Sequence, residues 1–317
     1  MIVLDSHCDA PTMLADGADF GSYVEGGQVD YSRMQKGGVD ASFFAIYTSN
    51  ERSGESAALR ALEMIAHLYD SLEENRDIVS LATTVDDIIK NKELGKISIL
   101  LGMENGLPIQ KDLSLLRLFY RMGVRYLTLT HNGDNEICDS AASPDGKWGG
   151  LSPFGIKVVS LMNQLGMMID VSHISDAAFY DVIKYSSKPP IASHSCCREL
   201  CGHRRNMSDD MIRAIAQKGG VIQVNFYPPF LSDNYENEEI TSATVANHID
   251  HIVSLVGIDY VGIGTDFDGI EMTPNDLKDV SQLPNLFEEL RKRGYSEEDI
   301  EKISGANFLR VMRENEQ

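Results

Sequence analysis

Short apolar runs alternate along this chain with stretches whose apolar residues recur every three or four positions. The runs are Ile2–Asp5, Ala41–Tyr47, Ile97–Met103, Tyr126–Thr130, Met167–Val171, Ile191–Ser193, Val221–Asn225 and Tyr260–Gly264. Their length and continuous hydrophobicity suit parallel strands buried on both faces. The segments between them, among them Ala57–Leu72, Leu113–Met122, Pro153–Leu165, Asp209–Lys218 and Thr244–Val256, carry the 3.6-residue period of amphipathic helices. Eight strands alternating with helices predict an α/β fold, a (β/α)8 barrel of the TIM type. Ile78–Lys92 falls between the second and third strands and is expected to be a small insertion. An open doubly wound sheet would need a glycine-rich phosphate turn after its first strand, whereas Gly262-x-Gly264 lies inside the last one. No Pro/Gly/Ser linker, fixed repeat or low-complexity tract divides residues 1–317, so one barrel domain is expected.

Charge narrows the partners. Twenty-eight Lys and Arg against 48 Asp and Glu leave a net charge of −20, which repels phosphate backbones and anionic lipid. Neither nucleic acid nor a membrane is expected as a partner. The longest apolar runs, such as Ile97–Met103, fall far short of the roughly 20 residues that span a bilayer. Met1-Ile2-Val3-Leu4-Asp5 enters a strand without the basic and apolar regions of a secretion signal, so a cytoplasmic location is expected. The five cysteines read as reduced thiols. Cys196, Cys197, Cys201 and His203 crowd together, but without Cys-x-x-Cys spacing ordinary buried thiols are expected there, not a structural zinc site. A symmetric homodimer is the expected assembly.

In such a barrel the chemistry sits at the C-terminal ends of the strands. There the chain places Asp5-Ser6-His7-Cys8-Asp9, Gly102-Met103-Glu104-Asn105, Leu129-Thr130-His131, Ile169-Asp170-Val171-Ser172-His173, Ala192-Ser193-His194 and Gly264-Thr265-Asp266-Phe267-Asp268. One histidine or glutamate at a strand end is usually a hydrogen-bonded loop residue; six strand ends carrying such groups point to metal. Strand alternation puts His7 and Asp9 on one side and Cys8 on the other. The sets His7/Asp9 and His173/His194, with Glu104 between them, fit two ions about 3.5–4 Å apart. Nitrogen and carboxylate donors without thiolate suit zinc, with manganese or cobalt as substitutes. Asp170 reads either as a carboxylate orienting a metal-bound imidazole or as a buried structural group. His248 and His251 are expected in solvent-facing or capping roles.

Many metal-dependent hydrolase barrels carry His-x-His on the first strand and a bridging lysine on the fourth; this chain has Asp9, Glu104 and no such lysine. That combination resembles the renal, or membrane, dipeptidase family. Further matching stretches are Tyr126-Leu127-Thr128-Leu129-Thr130-His131-Asn132, Gly150-Leu151-Ser152-Pro153-Phe154-Gly155, Arg204-Arg205-Asn206, Gly262 to Gly269, and Gly305-Ala306-Asn307-Phe308-Leu309-Arg310. The resemblance implies a binuclear zinc dipeptidase in which His131 and Arg205 hold the dipeptide and Asp266 handles the proton, with a hydroxide shared by two zinc ions as nucleophile. It further implies that L,D-dipeptides could be accepted. Asp268 is the rival for the proton-handling role, with a loop or capping role expected. Ser6 and Cys8 replace a glycine and an asparagine common in the family, and Asn105 replaces a glycine. Another amide or cyclic-amide hydrolase of the same barrel class, or an inactive metal-binding barrel, are the alternatives.

Overall fold

The computed structural model describes residues 1–316. Nine strands form one parallel sheet: β1 (Leu4–Cys8), β2 (Ala41–Tyr47), β3 (Val79–Leu81), β4 (Ile97–Glu104), β5 (Val124–Thr128), β6 (Met168–Asp170), β7 (Ile191–Ala192), β8 (Val221–Val224) and β9 (Val261–Ile263). Eight of them run β1-β2-β4-β5-β6-β7-β8-β9 around a nearly closed barrel, and β3 pairs with β4 alone. The insertion expected at Ile78–Lys92 is this β3 and the helix Val85–Glu93. It pairs with the first half of β4, Val79 opposite Ile97 and Leu81 opposite Ile99, below the point where Val124 of β5 takes over opposite Leu101.

Helices form where the apolar period predicts them, and their ends are set by local chemistry. Ser152 caps Pro153–Leu165 by accepting from Gly155 N, Pro153 occupies a first-turn position, and Gly166 ends the helix in a left-handed conformation at φ 78°. Helices 283–292, 297–301 and 307–316, after the last strand, had no counterpart in the strand-and-helix pattern. The last of them closes the barrel floor. Leu4, Phe43, Leu100, Tyr126, Met168, Ile191 and Val221, one from each of seven strands, form an interior layer with Phe308, whose ring lies 5.3 Å from that of Phe43. Residues of opposite parity, such as Phe44, Leu101, Leu127 and Ile222, pack outward with the helices.

β1 is displaced from its predicted span, ending at Cys8 and not at Asp5. Its second half carries Ser6 and His7, which serve the interior and not the apolar core, so hydrophobicity could not mark it. The barrel closes at this rim, where Asp266 N donates to His7 O (3.0 Å) and Asp9 N to Phe267 O (2.8 Å). The buried carboxylate of Asp5 accepts from both the backbone N–H and the hydroxyl of Thr265, at 2.9 and 2.7 Å.

Gly102 sits in β4 where a Cβ would run into the ring and hydroxyl of Tyr126. The missing side chain lets that ring lie across the lumen. Gly102→Ala is therefore expected to destabilise the fold by about 1–3 kcal/mol, the usual cost of overpacking. Urea denaturation measures it, and a wild-type midpoint would show that Tyr126 has room to move.

Candidate active site

The strand ends bring His7, Asp9, Glu104, His173, His194 and Asp266 to one buried point at the mouth of the barrel, each of them 9% exposed or less. Glu104, the last residue of β4, lies at its centre. Its Oε2 faces His7 Nε2 at 3.7 Å, and its Oε1 faces His173 Nε2 at 3.0 Å and His194 Nε2 at 3.6 Å. Asp9 Oδ2 and Asp266 Oδ1 stand 3.3 and 3.8 Å from His7 Nε2. Asp9 reaches this place as the residue preceding the helix Ala10–Ala15, while Cys8 turns outward to Ser42, with Sγ and Oγ 3.5 Å apart. His7 and Asp9 do share a side, but the start of a helix places Asp9, since the strand ends one residue before it.

The three imidazoles are oriented alike. His7 Nδ1 lies 2.8 Å from Tyr126 Oη, His173 Nδ1 3.2 Å from Asn132 Oδ1, and His194 Nδ1 2.8 Å from Ser193 Oγ. With each Nδ1–H donated to its oxygen, every Nε2 lone pair is left pointing toward Glu104. His7 Nε2 is buried without a hydrogen-bond partner, and the Nε2 atoms of His173 and His194 face each other at 2.9 Å. Lone pairs and carboxylates crowded in this way repel one another unless cations lie among them, so the donor set fits divalent metal. Groups close enough to hold an ion include His7/Asp9/Glu104, Glu104/His131/His173 and His7/His194/Asp266, and Glu104, His173 and His194 are equally close to one another. His131 and Asp266 thus lie close enough to join the metal ligands, and Glu104 recurs among the groups.

Backbone conformation is held away from its ordinary minima here. His173, Asp266, Asp268 and Asn105 all have φ between 63° and 81°. Non-glycine residues in this region cost of order 1 kcal/mol or more each, and such strain gathers at functional sites. Asn105 stands where the resembled family has glycine, and it offsets the strain with bonds. Its side-chain nitrogen donates to Thr48 O at 2.9 Å, while its oxygen accepts from Asn135 Nδ2 at 3.0 Å.

Above the carboxylates opens a cleft of about 410 Å³ lined by both polar and aromatic side chains. His131 borders it, its ring 4.3 Å from that of His173, and burial together with the Arg205 charge lowers its pKa to about 4, leaving it neutral. Arg205 is buried at 7% exposure, its Nε has no partner, and its guanidinium lies 5.5 Å from the Phe230 ring centroid. Its neighbour Arg204 turns to solvent and donates to Ala142 O at 3.1 Å. Asp266 Oδ2 accepts from Asn225 Nδ2 at 2.7 Å, and burial raises the carboxyl to about 7. Asp268, its rival, is tied to a loop through one oxygen: Oδ1 accepts from Gln28 N at 2.5 Å and its own N–H donates to Gln28 Oε1 at 2.8 Å, while Oδ2 is buried without a partner and burial raises this carboxyl also to about 7.

Every residue expected at the site is therefore brought to the cleft or the ligand cluster. Tyr126, Asn132, Ser193 and Asn225, which hold those residues, had no assigned role. Asn132 and Ser193 adjoin His131 and His194 in the sequence, which was the available signal, whereas Tyr126 and Asn225 have no histidine or carboxylate beside them. The thiols of Cys196, Cys197 and Cys201 point to three different carbonyls, of Asn225, His248 and Pro229. His248 is fully buried, contrary to a solvent-facing role. Its Nδ1 accepts from Cys197 N at 3.1 Å and its Nε2 donates to Leu231 O at 2.9 Å, satisfying the last carbonyl of the helix Pro228–Leu231.

Comparison with known proteins agrees with this geometry. The profile of the membrane dipeptidase family (Peptidase family M19) matches residues 1–317. The chain is 35% identical over 295 residues to the dipeptidase aclJ of Aspergillus oryzae, covering 90% of this chain and 69% of that protein. With dipeptidase 3 of Rattus norvegicus it shares 32% over 329 residues, covering 99% and 65%. Among solved structures, a metallopeptidase from Rhodobacter sphaeroides liganded with a phosphinate mimic of the dipeptide L-Ala-D-Ala superposes with a TM-score of 0.92 at 27% identity, covering 99% of both chains. A probable dipeptidase, PvdM from Pseudomonas aeruginosa, gives the same TM-score at 29% identity, covering 100% of this chain and 96% of its own.

The electrostatics have a consequence for the metal-free protein. Burial works against a charged His7, yet the carboxylates of Glu104, Asp9 and Asp266 outweigh it and raise its pKa to about 10. A folded value above the unfolded one, near 6.5, gives stability that is complete below about pH 6.5 and lost as the pH rises through 10. Burial raises the thiols of Cys8, Cys138 and Cys196, which act in the same direction. Chelator-treated protein is therefore expected to be less stable at about pH 9.5 than at 7.5, by on the order of a few kcal/mol. His7→Gln should flatten that slope. A level profile in the unsubstituted protein, followed by chemical denaturation, would contradict this account of the cluster.

Proposed function

Because the chain belongs to the membrane dipeptidase family, and so carries out metal-dependent hydrolysis of dipeptides, we propose that it works with two zinc ions, one held by His7 and Asp9, the other by His173 and His194, with Glu104 between them. The observation that carries this reading is the division of Glu104: one oxygen faces His7 and the other faces His173 and His194. Manganese or cobalt would be tolerated by the same nitrogen and oxygen donors. The ions would supply a shared water acidified toward neutral pKa and a Lewis-acidic contact for the scissile carbonyl.

The remaining roles fall to the chain's own side chains. Asp266, raised to about 7 and steadied by Asn225, is suited to take a proton and return it to the departing amine. His131, neutral at the cleft wall, is placed to donate toward the carbonyl oxygen as negative charge builds there. Arg205, with its unpaired buried Nε, offers a planar donor set to the free C-terminal carboxylate that distinguishes a dipeptide from a longer peptide. Support for L,D-dipeptides among the substrates comes from the Rhodobacter sphaeroides metallopeptidase and its L-Ala-D-Ala mimic.

Elemental analysis should find about two divalent ions per chain, and Glu104→Gln should lose both, because a neutral amide cannot serve two cations. One ion at saturation, or loss of only one in the variant, would overturn the bridged arrangement. Arg205→Lys should lower kcat/KM for dipeptides by roughly 10- to 100-fold, as a directional charge-assisted pair is weakened, while Arg204→Lys has little effect. Dipeptide amides should be poor substrates of the unsubstituted enzyme and no worse for Arg205→Lys. Equal turnover of amides and free dipeptides would remove the carboxylate clamp.

A further inference from the structure

Asp170, the last residue of β6, is fully buried and touches no imidazole, yet four donors converge on it. Its Oδ1 accepts from Ser172 N at 3.0 Å and Ser193 N at 2.8 Å; its Oδ2 accepts from Ser193 Oγ at 2.6 Å and Thr128 Oγ1 at 2.5 Å. A carboxylate receiving four donors is acceptor-only. The Ser193 hydroxyl must then spend its one proton on Asp170, and toward His194 Nδ1, 2.8 Å away, it can only accept. His194 is left with its proton on Nδ1 and a lone pair on Nε2, the atom that faces Glu104 and His173.

We propose that Asp170 is a positioning residue that fixes the tautomer of His194 through Ser193. The chain of donors runs one way because it ends on an anion, and the direction at its far end decides whether Nε2 can bind a cation at all. This rests on the reading of His194 as a metal ligand, although the tautomer itself can be observed without metal.

The substitution Asp170→Asn separates this role from simple stapling of β6 to β7. The two backbone N–H groups hold the amide oxygen at the Oδ1 position, so the amide nitrogen replaces Oδ2 and donates to Ser193 Oγ. Ser193 then donates to His194 Nδ1, and the imidazole proton moves to Nε2. Removing one proton acceptor at Asp170 thus reverses every bond down to the ring, as an Asp-to-Asn change does beside other buried histidines.

Nitrogen-15 NMR of histidine-labelled, metal-free protein reads the tautomer directly. The unsubstituted protein should show His194 protonated on Nδ1, and Asp170→Asn should show it protonated on Nε2. Zinc titration against a competing chelator should then find one of the two sites weakened by about 10- to 100-fold, the scale of lost support to a metal-bound histidine. Ser193→Ala removes the acceptor without reversing it. It should give mixed tautomers and a smaller loss of affinity, and Ser193→Thr, which keeps the hydroxyl, should recover both. Retention of the Nδ1 proton in Asp170→Asn overturns the proposal. If that variant fails to fold, an unchanged tautomer and unchanged zinc affinity in Ser193→Ala do so instead. Failure of the two-ion reading would show differently, as a single weakly bound zinc in the unsubstituted protein whose His194 tautomer still follows Asp170.

Discussion

The rest of the site is arranged around an unfavourable convergence: three imidazole nitrogens and three carboxylates turned toward one another, nearly buried at the mouth of the barrel. Without metal the chain offsets it only in part, through a proton held on His7 by the surrounding carboxylates and through Arg205, whose guanidinium lies 5.5 Å from the Phe230 ring at the side of the cleft. A core could not tolerate such a cluster by packing alone, because each buried charge without a partner costs several kcal/mol. The surroundings therefore act on orientation. Tyr126, Asn132 and Ser193 take the Nδ1 side of the three rings, Asn225 takes one oxygen of Asp266, and the strained φ values of His173 and Asp266 aim side chains that ordinary strand geometry would direct elsewhere.

The barrel and the cluster differ in how they tolerate change. Below Glu104 the interior is a packed layer of Leu, Phe, Tyr, Ile, Val and Met, where shape decides. Above it the cleft is bounded by residues of the connections beyond the strands, including Tyr227, Phe230 of the short helix Pro228–Leu231, and the segment from Asp268 to Glu271. Tyr126 belongs to both regions. Its ring fills the floor against Phe43 at 5.1 Å and its hydroxyl reaches His7, so the room left by Gly102 couples packing to ligand orientation.

Much of this was legible in the sequence, for identifiable reasons. Alternating apolar runs and amphipathic stretches revealed the barrel because burial of both strand faces leaves an unbroken hydrophobic signature. Ligands at six strand ends stood out because such residues are out of place beside those runs. What hydrophobicity could not show were elements serving chemistry or closure. The second half of β1 is polar because it faces the site, and the helix 307–316 plugs the floor with Phe308 while its exposed face reads as surface. The partners of the ligands escaped notice for a different reason. Serine, asparagine and tyrosine near a strand end have many ordinary uses, and only distance identifies which of them meets an imidazole. For His248 the capping role holds and the solvent-facing one does not, because its helical position borders an apolar stripe while the segments that bury it, around Cys197 and Leu231, come from other parts of the chain.

The seam between β1 and the segment after β9 has a consequence for how the molecule comes into being. Thr265 and Asp5, joined by two hydrogen bonds, lie 260 residues apart, and the backbone bonds beside them link His7 to Asp266 and Asp9 to Phe267. The first and last contributors to the cluster are thus also the clasp of the barrel. Contacts so distant along a chain are entropically costly and form late. A ribosome-bound chain that has released its first two hundred residues already carries His7, Asp9, Glu104, His173 and His194, but not the strand that locks them in place. Assembly of the ligand cluster is consequently tied to closure of the barrel, because Asp266 itself and the backbone bonds that hold His7 and Asp9 both come from the segment after the last strand.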